Sequence, residues 1–131
     1  MAKMIYWGLF FPTTTTDNSL SNVVKFQHIT FGFKVKPPVG LNGRWGRIAE
    51  TTIIGYGNDG ENEGYKIELH GWKKFYRSNA TPHITISVSE NGKPVNTGKI
   101  KFDKCEEIDY TGRWGWFGSD GKVHFEKPEE F

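Results

Sequence analysis

The sequence predicts a strand-dominated α+β fold made of antiparallel strands with few short helices. Runs of alternating apolar and polar residues recur along the chain, whereas the 3.6-residue periodicity of amphipathic helices is scarce. The 131 residues include 16 Gly, 10 Phe, 5 Trp and 5 Tyr, a composition that favours strands joined by tight turns. A chain of this length is expected to form a single domain, residues 1–131, around one core.

The strands are predicted in order, each bounded by turn-forming residues. The first covers residues 3–11 and the second residues 26–33, and residues 19–26 fit either a short helix or the start of that second strand. Further strands are predicted at residues 47–56, 65–72, 82–89, 99–102, 116–117 and 122–126. The glycine-rich stretch 57–64 predicts a hairpin turn between the third and fourth strands.

Two of the predicted strands contain the same tripeptide, His-Ile-Thr, at residues 28–30 and 83–85. Because side chains alternate along a strand, His28 and Thr30 share one face, and His83 and Thr85 share one face of the second strand. The apolar residues that alternate with them are expected to face the core: Ile29, Phe31, Phe33, Ile84, Ile86 and Val88. A single His-x-Thr is usually an ordinary feature of a strand, but two copies in matching contexts indicate one site built twice.

Paired histidines and threonines suit the cleavage of a phosphodiester. The reaction needs a base for the attacking oxygen and an acid for the leaving oxygen, and histidine titrates near neutrality. A threonine hydroxyl beside each histidine can donate a hydrogen bond to a phosphate oxygen. We therefore predict that His28 and His83 form the acid–base pair and that Thr30 and Thr85 bind phosphate, without a metal or cofactor. Which histidine is the base stays open.

The two motifs are the signature of the 2H phosphoesterase superfamily, which this chain resembles. The resemblance implies a bilobal arrangement of antiparallel sheets with pseudo-twofold symmetry, and the run 83–95 is similar to a phage-associated branch. That branch includes the anti-CBASS enzymes, which cleave cyclic di- and trinucleotide immune signals. In it, a tyrosine on the first strand and a tryptophan near the C-terminus help to hold bases. The resemblance therefore suggests Tyr6 and Trp114 or Trp116 for base stacking, the alternative being that these rings fill the core.

The resemblance implies a metal-independent phosphodiesterase that cleaves a cyclic nucleotide or oligonucleotide signal, as a phage counter-defence enzyme would. One alternative substrate is an RNA end carrying a 2′,3′-cyclic phosphate. Another alternative is a non-catalytic protein that sequesters a nucleotide. Two intact motifs argue against sequestration, and a net charge of only +2 argues mildly against an extended RNA groove.

The tetrapeptide Gly-Arg-Trp-Gly also occurs twice, at residues 43–46 and 112–115. It indicates a further trace of internal duplication, although it does not keep phase with the histidine motifs. The basic residues that could supplement phosphate binding, or lie solvated, are Lys34, Lys36, Arg44 and Arg113. The remaining histidines, His70 and His124, are predicted to be structural or exposed.

Three acidic residues of the glycine-rich stretch, Asp59, Glu61 and Glu63, fit either a calcium ligand set or a solvated turn, and we expect the turn. The single cysteine, Cys105, excludes an internal disulfide. No segment is predicted to span a membrane. These features favour a cytoplasmic location, in the host cell if the protein is phage-encoded, with no membrane or obligate protein partner.

Overall fold

The computed structural model describes residues 2–11, 22–23 and 27–129, which form eight strands and three short 3-10 helices. The strands are β1 (Met4–Phe10), β2 (Asn22–Val23), β3 (His28–Phe33), β4 (Ile48–Asn58), β5 (Asn62–Glu68), β6 (His83–Val88), β7 (Asp103–Gly118) and β8 (Val123–His124). The 3-10 helices are Val39–Leu41, His70–Phe75 and Pro94–Lys99. This architecture confirms the predicted strand-dominated class with few short helices. Residues 22–23 of the ambiguous stretch 19–26 are strand, and most of that stretch lies outside the described residues.

The strands form one antiparallel sheet in the order β2-β6-β5-β4-β7-β1-β3, with β8 paired to β7. Outward from the central β4–β7 pair, β5 and then β6 follow on one side, and β1 and then β3 follow on the other. The two His-Ile-Thr strands therefore occupy equivalent positions in a twofold arrangement. The sheet curls so that β3 also contacts β6, which brings its two halves together.

The two copies of Gly-Arg-Trp-Gly lie side by side at one end of the β4–β7 pair. The Gly46 N–H donates to the Trp114 carbonyl at 2.9 Å, and the Trp114 N–H donates to the Arg47 carbonyl at 2.9 Å. The Arg44 guanidinium lies 5.1 Å from the centroid of the Trp72 ring, and the Arg113 guanidinium lies 5.2 Å from the centroid of the Phe125 ring. The first copy precedes β4 and the second lies inside β7 near its end, so the two copies are neighbours at one end of the pair and do not occupy twofold-equivalent positions.

The core lies beneath the apolar faces of the two motif strands. As predicted, Ile29, Phe31, Ile84, Ile86 and Val88 are buried. The expectation for Phe33 is wrong, because this residue ends β3 with 57% of its surface exposed. A Cβ at Gly8 would lie 1.9 Å from the Ile29 carbonyl oxygen, so glycine permits the close approach of β1 to β3 where their register shifts.

Several predicted boundaries are wrong. The fourth predicted strand, 65–72, ends at Glu68 and is followed by the His70–Phe75 helix. The predicted strand 99–102 is replaced by the end of the Pro94–Lys99 helix and three residues outside any helix or strand before β7 begins. Among the described residues, no helix has the length and apolar character needed to cross a membrane.

Candidate functional site

Both His-Ile-Thr motifs face one cavity of about 320 Å³. Its lining includes His28 and Thr30 from β3, His83 and Thr85 from β6, and Tyr6 from β1. The remaining lining residues are Phe31, Gly32, Phe33, Tyr76, Arg77, Ser78, Ala80, Pro94 and Val95. The fold therefore brings together all four motif residues, although 55 positions separate the two histidines in the sequence.

His83 is held in a defined tautomer by the backbone. Its Nδ1 lies 2.7 Å from the Thr81 carbonyl oxygen, and because a carbonyl only accepts, Nδ1 carries the hydrogen. In the neutral ring this leaves Nε2 as the proton acceptor. Burial lowers the pKa of His83 below its ordinary 6.5, and the hydrogen bond to Thr81 partly opposes that shift. His83 is therefore neutral at pH 7, with Nε2 able to accept a proton.

His28 packs against aromatic rings. The Tyr6 ring stacks on His28 with 4.7 Å between centroids, and the Phe10 ring lies 5.5 Å away. Tyr6 also stacks on Phe117 at 5.1 Å. Since β3 and β7 flank β1 on opposite sides, His28 and Phe117 lie on opposite sides of Tyr6. The His28 ring thus lies against aromatic faces, unlike the His83 ring, which is held by a backbone carbonyl.

Tyr6 lines the cavity, but its ring is not available for base stacking as the resemblance suggested. Its neighbours on β3 and β7 occupy both sides of the ring. Burial raises the pKa of the Tyr6 hydroxyl to about 12, so the group remains a hydrogen-bond donor at neutral pH. Tyr6 is placed to support His28 and to offer a hydroxyl to the cavity.

The two motif threonines are not equivalent. Thr30 is partly exposed, and its hydroxyl has no hydrogen-bond partner among the described residues. Thr85 is buried, and its hydroxyl donates to Thr97 Oγ1 at 2.8 Å, with the Pro94 carbonyl oxygen at 3.2 Å as a second acceptor. Thr30 is thus open to a ligand, whereas Thr85 is tied to the Pro94–Lys99 helix.

Arg77 is a cavity residue that sequence reasoning missed. Its backbone N–H donates to the Phe31 carbonyl at 2.7 Å, and its Nη1 donates to the Lys74 carbonyl at 2.8 Å. Among the described residues that line the cavity there is no carboxylate, so the arginine and the histidines favour an anionic ligand. The available signal was the basic stretch of residues 73–77, just before the second motif. None of the four basic residues singled out from the sequence lines this cavity.

Tyr76 was also missed and lines the cavity beside Arg77. Burial raises the pKa of its hydroxyl, and a hydrogen bond with Ser78 opposes that shift. At the mouth, Phe33 and Val95 are 57% and 69% exposed. The Phe33 ring offers the kind of exposed aromatic surface on which a base can stack.

Trp114 and Trp116 do not line the cavity, which corrects the expectation that one of them holds a base. Trp114 is 0% exposed, and its ring packs in the core against Phe31, with 4.8 Å between centroids. Trp116 is 5% exposed, stacks on His124 at 4.1 Å and donates its Nε1–H to the Glu126 carbonyl. Base stacking needs an open ring face, and neither residue presents one to the cavity.

The other histidines lie away from this site. His70 Nε2 is 2.8 Å from Thr52 Oγ1, and His124 pairs with the Asp120 and Glu126 carboxylates at 2.9 and 3.2 Å. Neither histidine is among the residues that line the cavity.

The acidic residues of the glycine-rich stretch have separate structural roles. Asp59 accepts hydrogen bonds from the backbone N–H groups of Glu61 and Asn62, which lower the pKa of its carboxyl. Glu63 is buried and accepts hydrogen bonds from the Ser87 and Tyr56 hydroxyls. Across the described chain, no three His, Cys, Asp or Glu side chains converge in a way that could hold a metal ion. A second cavity, of about 580 Å³, is lined mainly by apolar residues and by neither motif.

No protein-family model matches the chain, and no curated protein matches it at a significant level. The resemblance to the 2H phosphoesterases therefore stays a prediction that rests on the two motifs.

Proposed function

We propose that this protein is a metal-independent phosphodiesterase that cleaves a cyclic nucleotide or oligonucleotide by two-histidine acid–base catalysis. The observation that carries the proposal is the single cavity lined by both His-Ile-Thr motifs, with Arg77 beside them and no carboxylate among its described lining. Two histidines and an arginine around one small cavity fit the needs of an anionic phosphodiester, which are an acid, a base and compensation of charge.

The environments of the two histidines favour a division of roles. His83 is neutral with Nε2 unprotonated, so it is the base that removes the proton from the attacking hydroxyl or water. The attacking oxygen forms a bond to phosphorus while the bond from phosphorus to the leaving oxygen breaks. His28, stacked on Tyr6, is the acid that protonates the leaving oxygen. The protons balance, and the histidines exchange protonation states during the step.

The charge that builds on the phosphate oxygens is matched by donors on the cavity wall. In the proposed complex, the Thr30 hydroxyl and the free N–H groups of Arg77 donate to the non-bridging oxygens, and the Tyr6 hydroxyl is a further donor. Donors already fixed in place stabilise charge with little reorganisation, which is the basis of electrostatic catalysis. Thr85 keeps the phosphate-binding role predicted from its motif only if its hydroxyl turns away from Thr97 and Pro94.

The substrate class is proposed from the cavity mouth together with the motif resemblance. The exposed Phe33 ring suits the stacking of a nucleobase next to the phosphate position, an interaction worth roughly 1–3 kcal/mol per base. In this proposal the protein acts in the cytoplasm, on a signalling nucleotide of the host cell. The counter-defence role belongs to the same proposal and depends on the resemblance to the phage-associated branch.

The test is a cleavage assay in EDTA. The purified chain is incubated with cyclic mono-, di- and trinucleotides and with an RNA that ends in a 2′,3′-cyclic phosphate, and products are separated by chromatography. His28→Ala and His83→Ala should each lower the rate at least ~100-fold, the usual scale for loss of a general acid or base. His124→Ala is the matched control, because His124 lies outside the cavity, and it should keep the wild-type rate.

Each result has a defined meaning. Cleavage of a cyclic oligonucleotide that both cavity mutants lose would support the proposal. Opening of the RNA end alone would keep the two-histidine chemistry and change the substrate class. Turnover that disappears in EDTA and returns with a divalent cation would overturn the metal-independent mechanism. Tight nucleotide binding without turnover would make the protein a sequestering module.

A further inference from the structure

A buried network connects the start of β5 to the second motif. Asn62 is 1% exposed, and its Nδ2 donates to the Lys93 carbonyl at 2.6 Å and to Thr97 Oγ1 at 2.9 Å. Thr97 is 0% exposed and also accepts the hydrogen bond from the Thr85 hydroxyl at 2.8 Å. A hydroxyl oxygen accepts two hydrogen bonds, so Asn62 and Thr85 together fill the accepting capacity of Thr97.

These bonds hold the Pro94–Lys99 helix, and that helix packs on the His83 ring. A Cβ placed on Gly98 would lie 2.9 Å from both Cε1 and Nδ1 of His83, so the helix at Gly98 lies close beside the imidazole edge and leaves no room there for a side chain. This edge includes the nitrogen that donates to Thr81. The helix therefore covers the same side of the ring that sets its tautomer.

Asn62 is itself fixed by the turn that precedes β5. The Asp59 carboxylate accepts the Asn62 N–H at 2.8 Å, and the Asp59 N–H donates to the Asn62 carbonyl at 3.1 Å. The side chain is thus anchored in the sheet on one side and reaches the helix on the other.

We infer that Asn62 is a positioning residue of the proposed site: through Thr97 it holds the Pro94–Lys99 helix against His83 and so fixes the ring of the proposed base. The catalytic meaning of this role rests on the proposed function, whereas the contact itself is testable without any activity. Asn62 does not line the cavity, and among the described residues its side-chain hydrogen bonds go only to the Lys93 carbonyl and Thr97 Oγ1, so it acts on the site through the helix.

The readout is the titration of the His83 imidazole, followed by NMR of the full-length chain. Covering by the helix keeps water from the ring, and burial is the main cause of the lowered pKa of His83. The other titratable or charged groups that share the cavity are His28, Tyr6, Tyr76 and Arg77, and the variants below change none of them. Lys66, opposite His83 on β5, is also left in place.

Two variants remove the network at different points. Thr97→Val deletes the accepting hydroxyl at nearly constant volume, and Asn62→Ala deletes both donors. In each, the His83 titration midpoint should rise towards 6.5, and the ¹⁵N shifts should show a smaller share of the Nδ1–H tautomer. Thr97→Ser keeps the accepting hydroxyl, so His83 should titrate in this variant as it does in the wild type. In the cleavage assay, Thr97→Val should lower kcat about tenfold, since small misplacements of reacting groups cost rate.

The matched control is Thr51→Val. Thr51 is 0% exposed, donates to the Tyr110 carbonyl at 2.8 Å and does not line the cavity, so the variant loses a comparable buried hydrogen bond elsewhere. The free energy of unfolding of Thr51→Val should fall by a similar amount, while His83 titrates as in the wild type. If Thr97→Val loses stability as Thr51→Val does and leaves the His83 midpoint and tautomer unchanged, the inference is overturned.

Two further outcomes remain decisive. If neither network variant folds, Gly98→Ala leaves every side chain of the network in place and adds a Cβ against the ring, so an unchanged His83 spectrum in that variant would refute the contact. If the wild type cleaves no nucleotide in the panel, the proposed function fails. The titration still decides whether Asn62 positions His83.

Discussion

Replacing Gly98 with alanine tests how closely the Pro94–Lys99 helix holds the proposed base. The new Cβ would lie 2.9 Å from His83 Cε1 and Nδ1 and 2.9 Å from the Ala80 Cβ. Carbon atoms pack at about 3.5–4.0 Å, so the ring or the helix must shift by roughly 0.6–1.1 Å. Overpacking of this kind costs about 1–3 kcal/mol of stability. A displacement of ~1 Å at reacting groups can cost on the order of 100-fold in rate.

The assay measures kcat/KM for the substrate identified in the cleavage panel, together with the free energy of unfolding in urea. Gly98→Ala should lower kcat/KM on the order of 100-fold. Gly71→Ala is the matched control, because Gly71 lies in another 3-10 helix, His70–Phe75, and a Cβ there would meet no heavy atom within 4 Å. That control should stay within about 0.5 kcal/mol of the wild-type stability and keep full activity.

Either of two results would refute the reasoning. A folded Gly98→Ala protein with wild-type kcat/KM and unshifted His83 resonances would mean that the position of the ring does not depend on the helix. Loss of stability alone, with full activity retained, would also separate the helix from catalysis.

Three further predictions concern the remaining walls of the cavity. Arg77→Ala should lower kcat/KM roughly tenfold or more, because a hydrogen bond to a charged group contributes about 1.5–3 kcal/mol. The control is Lys73→Ala, which alters an exposed residue outside the cavity and should have little effect on kcat/KM. Tyr6→Leu should lower kcat about tenfold, because an aromatic contact is worth ~0.5–1.5 kcal/mol. Tyr6→Phe keeps the stacked ring and should keep most of the rate. Equal losses in the two variants would instead assign the effect to the hydroxyl. The pKa of His83 is lowered in the folded state, so the unfolded chain binds a proton at His83 more readily than the folded chain does. The contribution of neutral His83 to the free energy of unfolding is therefore complete above about pH 6.5. It is lost as the pH falls through the folded-state pKa. Urea unfolding between about pH 5 and 7 should therefore show a weaker pH dependence in His83→Gln than in the wild type, and an unchanged slope would contradict the burial of this ring.

The motif strands were predictable because their evidence is local. Alternation along a strand alone placed His28 and Thr30 opposite Ile29, and the structure buries Ile29 and Phe31 while the polar residues line the cavity. The same rule failed at Phe33, where β3 ends and the chain no longer packs against the core. Alternation predicts the face of a side chain, but not where the sheet stops covering it.

The glycine-rich stretch shows what local composition does not reveal. Its Asn, Asp, Gly and Glu residues predict a solvated turn, and Asp59 does form one. Yet β5 already begins at Asn62, and both Asn62 and Glu63 are buried. Their partners, Thr97 and Ser87, lie far along the chain, so no local pattern shows that these polar groups are satisfied inside the fold.

The prediction of β7 was too short. A strand was predicted there only at residues 116–117, whereas β7 spans Asp103–Gly118 and runs through the second Gly-Arg-Trp-Gly without interruption. A Cβ on Gly112 would lie 2.9 Å from the Phe11 ring, and one on Gly115 would lie 2.7 Å from the His124 carbonyl oxygen. These glycines permit close packing across the sheet. Their role depends on tertiary neighbours, as does the core position of Trp114 between them.

The assignment of acid and base could not come from the sequence, because the two motifs are identical as tripeptides. Chemistry by one acid and one base requires the two histidines to differ at the same pH. The difference arises in packing: His83 lies under the Pro94–Lys99 helix with its Nδ1 bonded to a carbonyl, and His28 lies against the Tyr6 ring. A twofold sheet thus places equivalent residues around one cavity, and the proposed division into acid and base relies on their unequal surroundings. The helix that makes the surroundings unequal is the one that Asn62 anchors, so the asymmetry of the proposed reaction depends on a residue outside both motifs.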